Sequence, residues 1–184
     1  MGALAAAAAQ ERQTENRTLI FTYGTLKRGF SNHPLLHDMI RTGDAVFLGE
    51  YVSMEKFPLV CGPYSVPFLL NLPRSGHRIC GELYAVSLPA LARIDVLEGI
   101  ATGHYERLPI AVSRPIDAEP EKEIVRAEAY YAHRSYAEEM WRRSGEKGMA
   151  AYTQDAAQGY VRRADRPPDK TFLEHIQTFL SSPS

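Results

Sequence analysis

A short run near the start of the chain carries residue types that could hold an anion. Residues 19–23 are apolar and β-branched, and the motif Tyr-Gly-Thr-Leu at 23–26 ends this stretch, followed by a basic pair and Gly29. A strand that stops at a glycine can turn its last backbone amides away from the sheet. Free amides at such a turn can bind a carboxylate, a phosphate or a developing oxyanion. The pattern therefore predicts an anion-binding loop and leaves the anion open.

A second candidate is a pair of carboxyl side chains near the end of a predicted helix, residues 87–98. Glu98 follows Ile94 by four positions and Asp95 precedes Glu98 by three, so both lie on or beside the face expected to be apolar. Burial, the neighbouring carboxylate and the negative end of the helix dipole would all raise the pKa of Glu98. A carboxylate with a raised pKa suits a general base near neutral pH.

The spacing also allows a second interpretation of this acidic pair. Asp95 and Glu98 could flank the apolar stripe, remain solvated and pair with Arg93 or Arg107. The residues alone do not decide between the two.

The helix that carries this pair is the clearest in the sequence. Ser87 is a good N-cap, Pro89 suits the first turn, and Gly99 suits the position just past the end. The predicted buried stripe consists of Leu88, Leu91, Ile94 and Leu97.

Other constellations indicate little chemistry. His33 and His37 are four residues apart on a predicted helix face, but no third ligand stands at a metalloprotease spacing, so no metal site is predicted. Thr25 could be a nucleophile, but the sequence pairs no base with it and contains no G-x-S-x-G motif. A small basic cluster, offset by two aspartates, consists of Arg162, Arg163 and Arg166.

Composition excludes several function classes. The chain has 184 residues, of which 21 are Lys or Arg and 22 are Asp or Glu, so it has no basic footprint for nucleic acid. No stretch is long and apolar enough to span a bilayer. We expect a small molecule as the binding partner, and we expect the protein to bind neither nucleic acid nor membrane. The oligomeric state stays open.

The two cysteines predict the cellular compartment of the protein, and the N-terminal residues predict where its folded domain begins. Cys61 and Cys80 stand in apolar contexts, which favours buried free thiols in a reducing, cytoplasmic compartment. Residues 1–16 are alanine-rich without a positive start and predict a disordered leader rather than a signal peptide. Residues 17–184 are expected to form a single domain, with a helical extension at about 135–184.

The order of predicted elements favours an α+β fold. Several strands follow one another too closely for parallel crossovers, so we expect a small mixed, largely antiparallel curled sheet or barrel with flanking helices. An acidic hairpin tip is expected at 117–123. The predicted strands are 18–23, 45–53, 79–86, 105–113 and 124–132, and the predicted helices are a short one capped by Asn32, 87–98, one starting in a capping box at Ser135, and 170–180.

Several of these segments together resemble a known family. Residues 21–29, followed by Asn32 and His33, are similar to the first motif of the gamma-glutamylcyclotransferase-like superfamily, in particular its gamma-glutamylamine cyclotransferases and related plant avirulence-induced proteins. The resemblance covers roughly residues 19–133, and the chain after about residue 135 lies outside it. Further similar segments follow in order at 57–60, 66–70, 81–86, 95–98 and 105–107.

The resemblance implies a fold, a reaction and a site. It implies a small mixed β-barrel and an acyltransferase that cyclises a γ-glutamyl group to 5-oxoproline, releasing an amine or amino acid, with γ-glutamylamines such as γ-glutamyl-lysine among the substrates. It implies no metal or cofactor. Glu98 would be the general base. The residues implied to bind the γ-glutamyl group are Tyr23, Gly24, Thr25 and Leu26.

One alternative function stays open at this point. A binding or regulatory module could retain the γ-glutamyl pocket without useful catalysis, with the chain after Ser135 as its partner surface. The presence of Glu98 argues against this, since a pure binding protein has little use for a carboxylate on an apolar stripe.

Overall fold

The fold is described by a computed structural model that covers residues 16–116 and 123–183. Residues 1–15 of the predicted leader and 117–122 of the predicted hairpin tip lie outside this description. The strands are β1 (Thr18–Thr22), β2 (Ala45–Phe57), β3 (Leu59–Cys61), β4 (Pro67–Leu69), β5 (His77–Val86), β6 (Tyr105–Ser113) and β7 (Val125–Ala132). The α-helices are α1 (His33–Arg41), α2 (Leu88–Leu97), α3 (Ala137–Arg143) and α4 (Phe172–Ser181).

Five strands close into a barrel in the order β1-β5-β2-β6-β7, and β7 returns to β1. Every pairing around the barrel is antiparallel except β1–β7, where Ile20 lies opposite Glu128 in a parallel contact. The β3–β4 hairpin extends the sheet beyond β7, at an edge where prolines are tolerated. The predicted α+β class and largely antiparallel curled sheet are confirmed.

β1 is an interior strand because both of its faces are apolar. Ile20 and Phe21 are both 0% exposed and belong to two different core clusters. The cluster with Ile20 also contains residues of the helices, whereas the cluster with Phe21 consists of strand and loop residues. The strand is therefore packed from both sides, which fixes where its end lies.

α2 begins and ends where its sequence predicts, but its buried face is different. The Ser87 hydroxyl accepts from the Ala90 amide at 3.3 Å, and Gly99 is left-handed with φ 64°. Leu88 is 70% exposed, so its place in the predicted buried stripe was wrong, and Ala90 is buried instead. Helical spacing shows which residues share a face, but the rotation of the helix against the sheet is set by its neighbours.

Two further sequence predictions were wrong. Cys61 is half-buried and Cys80 is exposed, because Ile79 points to the core and the next residue of a strand points the other way. α3 has Tyr136 as its N-cap without a side-chain cap bond, and the Ser135 hydroxyl lies 2.8 Å from His133 Nδ1 instead of forming a capping box.

The C-terminal helix α4 has the capping box that α3 lacks. The Thr171 hydroxyl accepts from the Glu174 amide at 3.2 Å, and the Glu174 carboxylate accepts from the Thr171 amide at 2.6 Å. Ile176 is fully buried in the core cluster that also contains residues of the other helices, so α4 packs on the body of the fold. Among the helices of the described residues, none has the length and hydropathy needed to cross a membrane.

The two faces of α2 give a matched stability test. Leu91 is 7% exposed and Leu88 is 70% exposed, so the same substitution removes buried surface at one position only. We expect Leu91→Ala to lower the free energy of unfolding by about 2–5 kcal/mol. Leu88→Ala should change it by less than about 0.5 kcal/mol. Urea unfolding followed by circular dichroism measures both, and equal losses would contradict this orientation of the helix.

Candidate active site

A cavity lies between the loop that follows β1 and the C-terminal end of α2. Its empty volume is about 690 Å³, a figure that includes space open to solvent at its mouth. The structure brings the two parts of the chain singled out by sequence to this one cavity, although they are more than 70 residues apart. The predicted residues that line it are Tyr23, Gly24, Thr25, Leu26 and Glu98.

Tyr23 anchors the loop rather than offering a free hydroxyl. Its hydroxyl donates to the Tyr130 carbonyl at 2.5 Å and accepts from the Leu69 amide at 3.4 Å. Burial, followed by the nearby Glu98 carboxylate, raises the pKa of Tyr23 well above its usual range, so the phenol stays protonated. The side chain therefore fixes the end of β1 against β7 and β4.

The loop needs a glycine where it passes β4. A Cβ on Gly24 would lie 2.6 Å from Pro67 Cγ, which is closer than van der Waals contact allows. The next two amides, of Thr25 and Leu26, donate to no acceptor within the part of the chain that the structure describes. These donors are available to a ligand, as expected for an anion-binding loop.

Asn32 holds the loop in this shape. Its side-chain amide donates to the Thr25 hydroxyl at 2.8 Å and to the Tyr160 hydroxyl at 3.3 Å. Its backbone amide donates to the Thr25 carbonyl at 2.9 Å. Asn32 is the N-cap residue of α1, but its side chain makes no cap bond and is used for the loop instead.

The basic pair after the loop serves as an anchor outside the cavity. The Glu82 carboxylate is buried and accepts from the Arg28 amide at 3.1 Å, from Arg28 Nε at 3.2 Å and from the Tyr84 hydroxyl at 2.7 Å. Lys27 Nζ donates to the Tyr152 carbonyl at 2.8 Å. The loop is thus fixed at its start by Tyr23 and at its far end by these ionic contacts.

Glu98 is the C-cap residue of α2, and it lines the same cavity as the loop. Burial raises the pKa of Glu98 to about 7; Arg163 opposes the shift and Asp95 adds to it. Near neutral pH this carboxyl is therefore present in both protonation states. A group of this kind can accept a proton and return it in one reaction cycle.

Asp95 pairs with Arg107, as the second interpretation of the acidic pair predicted, but it is only partly exposed to solvent. Its carboxylate accepts from Arg107 Nε at 3.0 Å and from the Tyr130 hydroxyl at 2.6 Å, and Arg107 also donates to Glu128 at 2.6 Å. Glu98 makes no ion pair within the described residues. The two acids on the helix therefore have different environments: Asp95 lies in a network with Arg107 and Tyr130, and Glu98 lines the cavity.

The remaining wall of the cavity was missed by the sequence reasoning. Arg163 and Arg166 come from a 3₁₀ turn at Arg163–Asp165 and the residue after it, and both line the cavity together with Tyr160 and Phe172. Local spacing gave no signal for this, because the segment reaches the site through contacts with distant residues. For example, the Tyr152 hydroxyl donates to the Ser65 carbonyl at 2.8 Å.

The histidine pair behaves as a structural contact. His33 Nδ1 lies 3.0 Å from the Leu26 carbonyl oxygen, and the rings of His33 and His37 are 6.3 Å apart between centroids. Among the residues covered by the structure, no group of three His, Cys, Asp or Glu side chains is placed to hold a metal ion.

The causes of the raised Glu98 pKa can be tested without a substrate. Because Arg163 lowers the pKa of Glu98 and Asp95 raises it, Arg163→Gln should raise this pKa and Asp95→Asn should lower it from about 7. Arg162 does not line the cavity and pairs with Asp165, so Arg162→Gln is a matched control with no expected effect. Carbon-13 NMR titration of the carboxyl measures all four proteins. A pKa near 4.5 in the unmodified protein would contradict the buried environment.

Comparisons with known proteins find one family repeatedly. The family model "Gamma-glutamyl cyclotransferase, AIG2-like" matches residues 20–148. An Arabidopsis thaliana protein named "Putative gamma-glutamylcyclotransferase" is 55% identical over 175 residues, which are 90% of this chain and 93% of that protein. The Homo sapiens gamma-glutamylaminecyclotransferase is 40% identical over 103 residues, which are 55% of this chain and 66% of that protein.

A solved structure shows the same fold. The crystal structure of an AIG2-like protein from Mus musculus has a TM-score of 0.67 and 30% identity, and the match covers 85% of this chain and 99% of that one. The family match spans well over half of the chain and includes both the loop after β1 and the end of α2. The chain therefore belongs to the gamma-glutamyl cyclotransferase, AIG2-like family of enzymes.

Proposed function

We propose that this protein cyclises the γ-glutamyl group of a small molecule to 5-oxoproline and releases the attached amine or amino acid. The observation that carries the proposal is the placement of Glu98, with a pKa of about 7, across one cavity from the unused amides of Thr25 and Leu26. A proton acceptor and an anion-binding loop are what this reaction requires.

The bonds and protons of the cyclisation are balanced by the substrate and one carboxylate alone. The α-amine nitrogen of the γ-glutamyl group attacks its own side-chain carbonyl carbon, so one C–N bond forms and closes the ring. Two protons leave the α-ammonium nitrogen in all: Glu98 accepts the first before attack and gives it to the leaving nitrogen as the original amide C–N bond breaks. The regenerated Glu98 carboxylate then passes the second proton from the ring nitrogen to the released amine, so that 5-oxoproline and an ammonium ion form. No water, oxidant or cofactor enters the balance.

The loop supplies position and charge stabilisation in this proposal. Because the attack is intramolecular, much of the barrier is overcome by holding the substrate in a folded, reactive shape. The amides of Thr25 and Leu26 would bind the substrate's α-carboxylate or the oxyanion formed on ring closure. Tyr23 and Gly24 act by positioning: one anchors the strand end, and the other lets the backbone pass close to Pro67.

The proposal also covers the chemical class of the leaving group. The human relative at 40% identity and a Rattus norvegicus relative at 43% identity are both named gamma-glutamylaminecyclotransferase. We therefore include γ-glutamylamines such as γ-glutamyl-lysine among the substrates to be tested. We also propose a cytoplasmic location, in keeping with the two free cysteines of the structure.

Replacing Glu98 tests the proton-transfer role. We expect Glu98→Gln to lower kcat for 5-oxoproline release by about 100- to 10,000-fold. In the unmodified enzyme kcat/KM should rise with pH up to about 7, since the carboxylate form is the active base. The exposed Glu138 gives the control Glu138→Gln, which should retain activity. A Glu98→Gln variant with unreduced turnover would contradict the proposal.

The same variant should remain folded, for a reason that follows from linkage. The pKa of Glu98 is higher in the folded than in the unfolded state, so its stabilising contribution is present below about pH 4.5 and is lost as the pH rises to about 7. At pH 8 Glu98→Gln should therefore be at least as stable as the unmodified protein. Thermal unfolding at pH 5 and pH 8 checks this sign.

The fit of Gly24 gives a test of loop position. Gly24→Ala would force its new Cβ against Pro67 Cγ, and a shift of the loop by about 1 Å should lower kcat/KM by about 100-fold. Adding Pro67→Ala removes the clashing Cγ atom and should restore part of the loss. Steady-state kinetics of the single and double variants measures this. A Gly24→Ala enzyme with normal kinetics would show that the close packing of the loop is not needed.

A further inference from the structure

The wall of the cavity formed by residues 149–183 carries a charge pattern that the cyclisation itself does not use. Arg163 and Arg166 line this wall, and Glu98 is the acidic residue among the cavity-lining side chains. The matched region of the family model ends at residue 148, so both arginines lie beyond it. They add two positive charges to a cavity whose carboxyl is partly protonated near neutral pH.

The guanidinium group of Arg166 is held in place by neighbouring groups but forms no salt bridge within the described residues. Its Nε donates to the Val161 carbonyl at 2.9 Å, and its guanidinium carbon lies 5.4, 5.7 and 5.2 Å from the ring centroids of Tyr64, Tyr160 and Phe172. In the described residues it has no carboxylate within ion-pair distance, and its terminal nitrogens donate to no acceptor. Three rings already restrict the side chain, so binding an anion would cost little conformational entropy.

Arg163 stands at the mouth of the same wall. It is exposed, and its Nη2 donates to the Leu97 carbonyl at 2.9 Å, which places it next to the end of α2. It forms no salt bridge among the residues that the structure covers, although its charge lowers the pKa of Glu98. Its neighbour Arg162, in contrast, pairs with Asp165 at 3.3 Å. Two guanidinium groups that line one cavity and form no salt bridge within the described residues fit a carboxylate of the ligand.

We propose that Arg163 and Arg166 bind a carboxylate on the leaving group, so that the preferred substrates are γ-glutamyl amino acids or peptides rather than γ-glutamyl derivatives of simple amines. This inference rests on the proposed cyclisation. The γ-glutamyl end is assigned to the loop amides and Glu98, which leaves the leaving group to extend toward the exposed Arg163. A leaving group with a carboxylate gives the substrate a net charge of about −1, which complements two guanidinium groups.

A matched pair of substrates isolates this carboxylate. γ-Glutamyl-alanine and γ-glutamyl-ethylamine differ only by the carboxylate of the leaving group. We expect kcat/KM of the unmodified enzyme to favour γ-glutamyl-alanine by on the order of 10- to 100-fold, the effect of a charge-assisted hydrogen bond. The double variant Arg163→Gln/Arg166→Gln should reduce this ratio to within about threefold of unity, on the same scale.

The ratio of kcat/KM for the two substrates does not depend on how much of the protein is folded or on the pKa of Glu98. Both substrates react on the same protein, so partial unfolding of an Arg166 variant or a changed Glu98 pKa cancels in the ratio. Arg162→Gln is the control, because Arg162 lies in the same segment but does not line the cavity, and it should leave the ratio unchanged. The single variant Arg163→Gln, at an exposed position, should lower the ratio without loss of the folded state.

The outcomes separate the two proposals. Turnover of both substrates without a preference, or a preference that the double variant keeps, would overturn the carboxylate site and leave the cyclisation intact. An equal loss for both substrates in the double variant would place the arginines on the shared γ-glutamyl part and also overturn the inference. Absence of 5-oxoproline from every γ-glutamyl compound would overturn both proposals.

Discussion

Tyr130 joins the two walls of the cavity, and the geometry of the site depends on it. Its backbone carbonyl accepts from the Tyr23 hydroxyl, which fixes the end of β1, and its own hydroxyl donates to Asp95 on α2. β7 can make this link because it pairs in parallel with β1 and closes the barrel. The position of the Thr25 and Leu26 amides relative to Glu98 therefore depends on the closed barrel.

The electrostatics of the site follow from the same network. Hydrogen bonds from Arg107 and Tyr130 hold the Asp95 carboxylate in place on the helix that also carries Glu98. Its negative charge adds to the effect of burial on Glu98, and Arg163 limits the rise, so that the pKa comes to about 7. A buried carboxyl without these neighbours would have a pKa set by burial alone. Arg163, which lowers the pKa of Glu98, is also one of the two arginines proposed to bind the leaving group. In that proposal the charge of the substrate and the pKa of Glu98 are coupled.

Much of the fold follows from local patterns. β1, β6 and α2 lie close to their predicted positions, because alternation, N-cap chemistry and a glycine in left-handed conformation act within a few residues. The errors at Leu88, Cys80 and Ser135 share one cause. Whether a side chain is buried, or a hydroxyl caps a helix, depends on neighbours that are distant in sequence.

The sequence by itself determined where the loop and the acidic pair lie along the chain, because a strand that ends at Gly24 and a helix bounded by Ser87 and Gly99 are local patterns. The role of Glu98 as general base was implied by the family resemblance and stays a prediction. Only the tertiary structure decided that these two parts face each other, that Asp95 and Glu98 have separate environments, and that Arg163 and Arg166 complete the cavity. The physical reason is the range of the interactions. Turns and helix caps are local, whereas pKa shifts and cavity walls arise from burial and charge among residues that only the closed barrel and the returning C-terminal segment bring together.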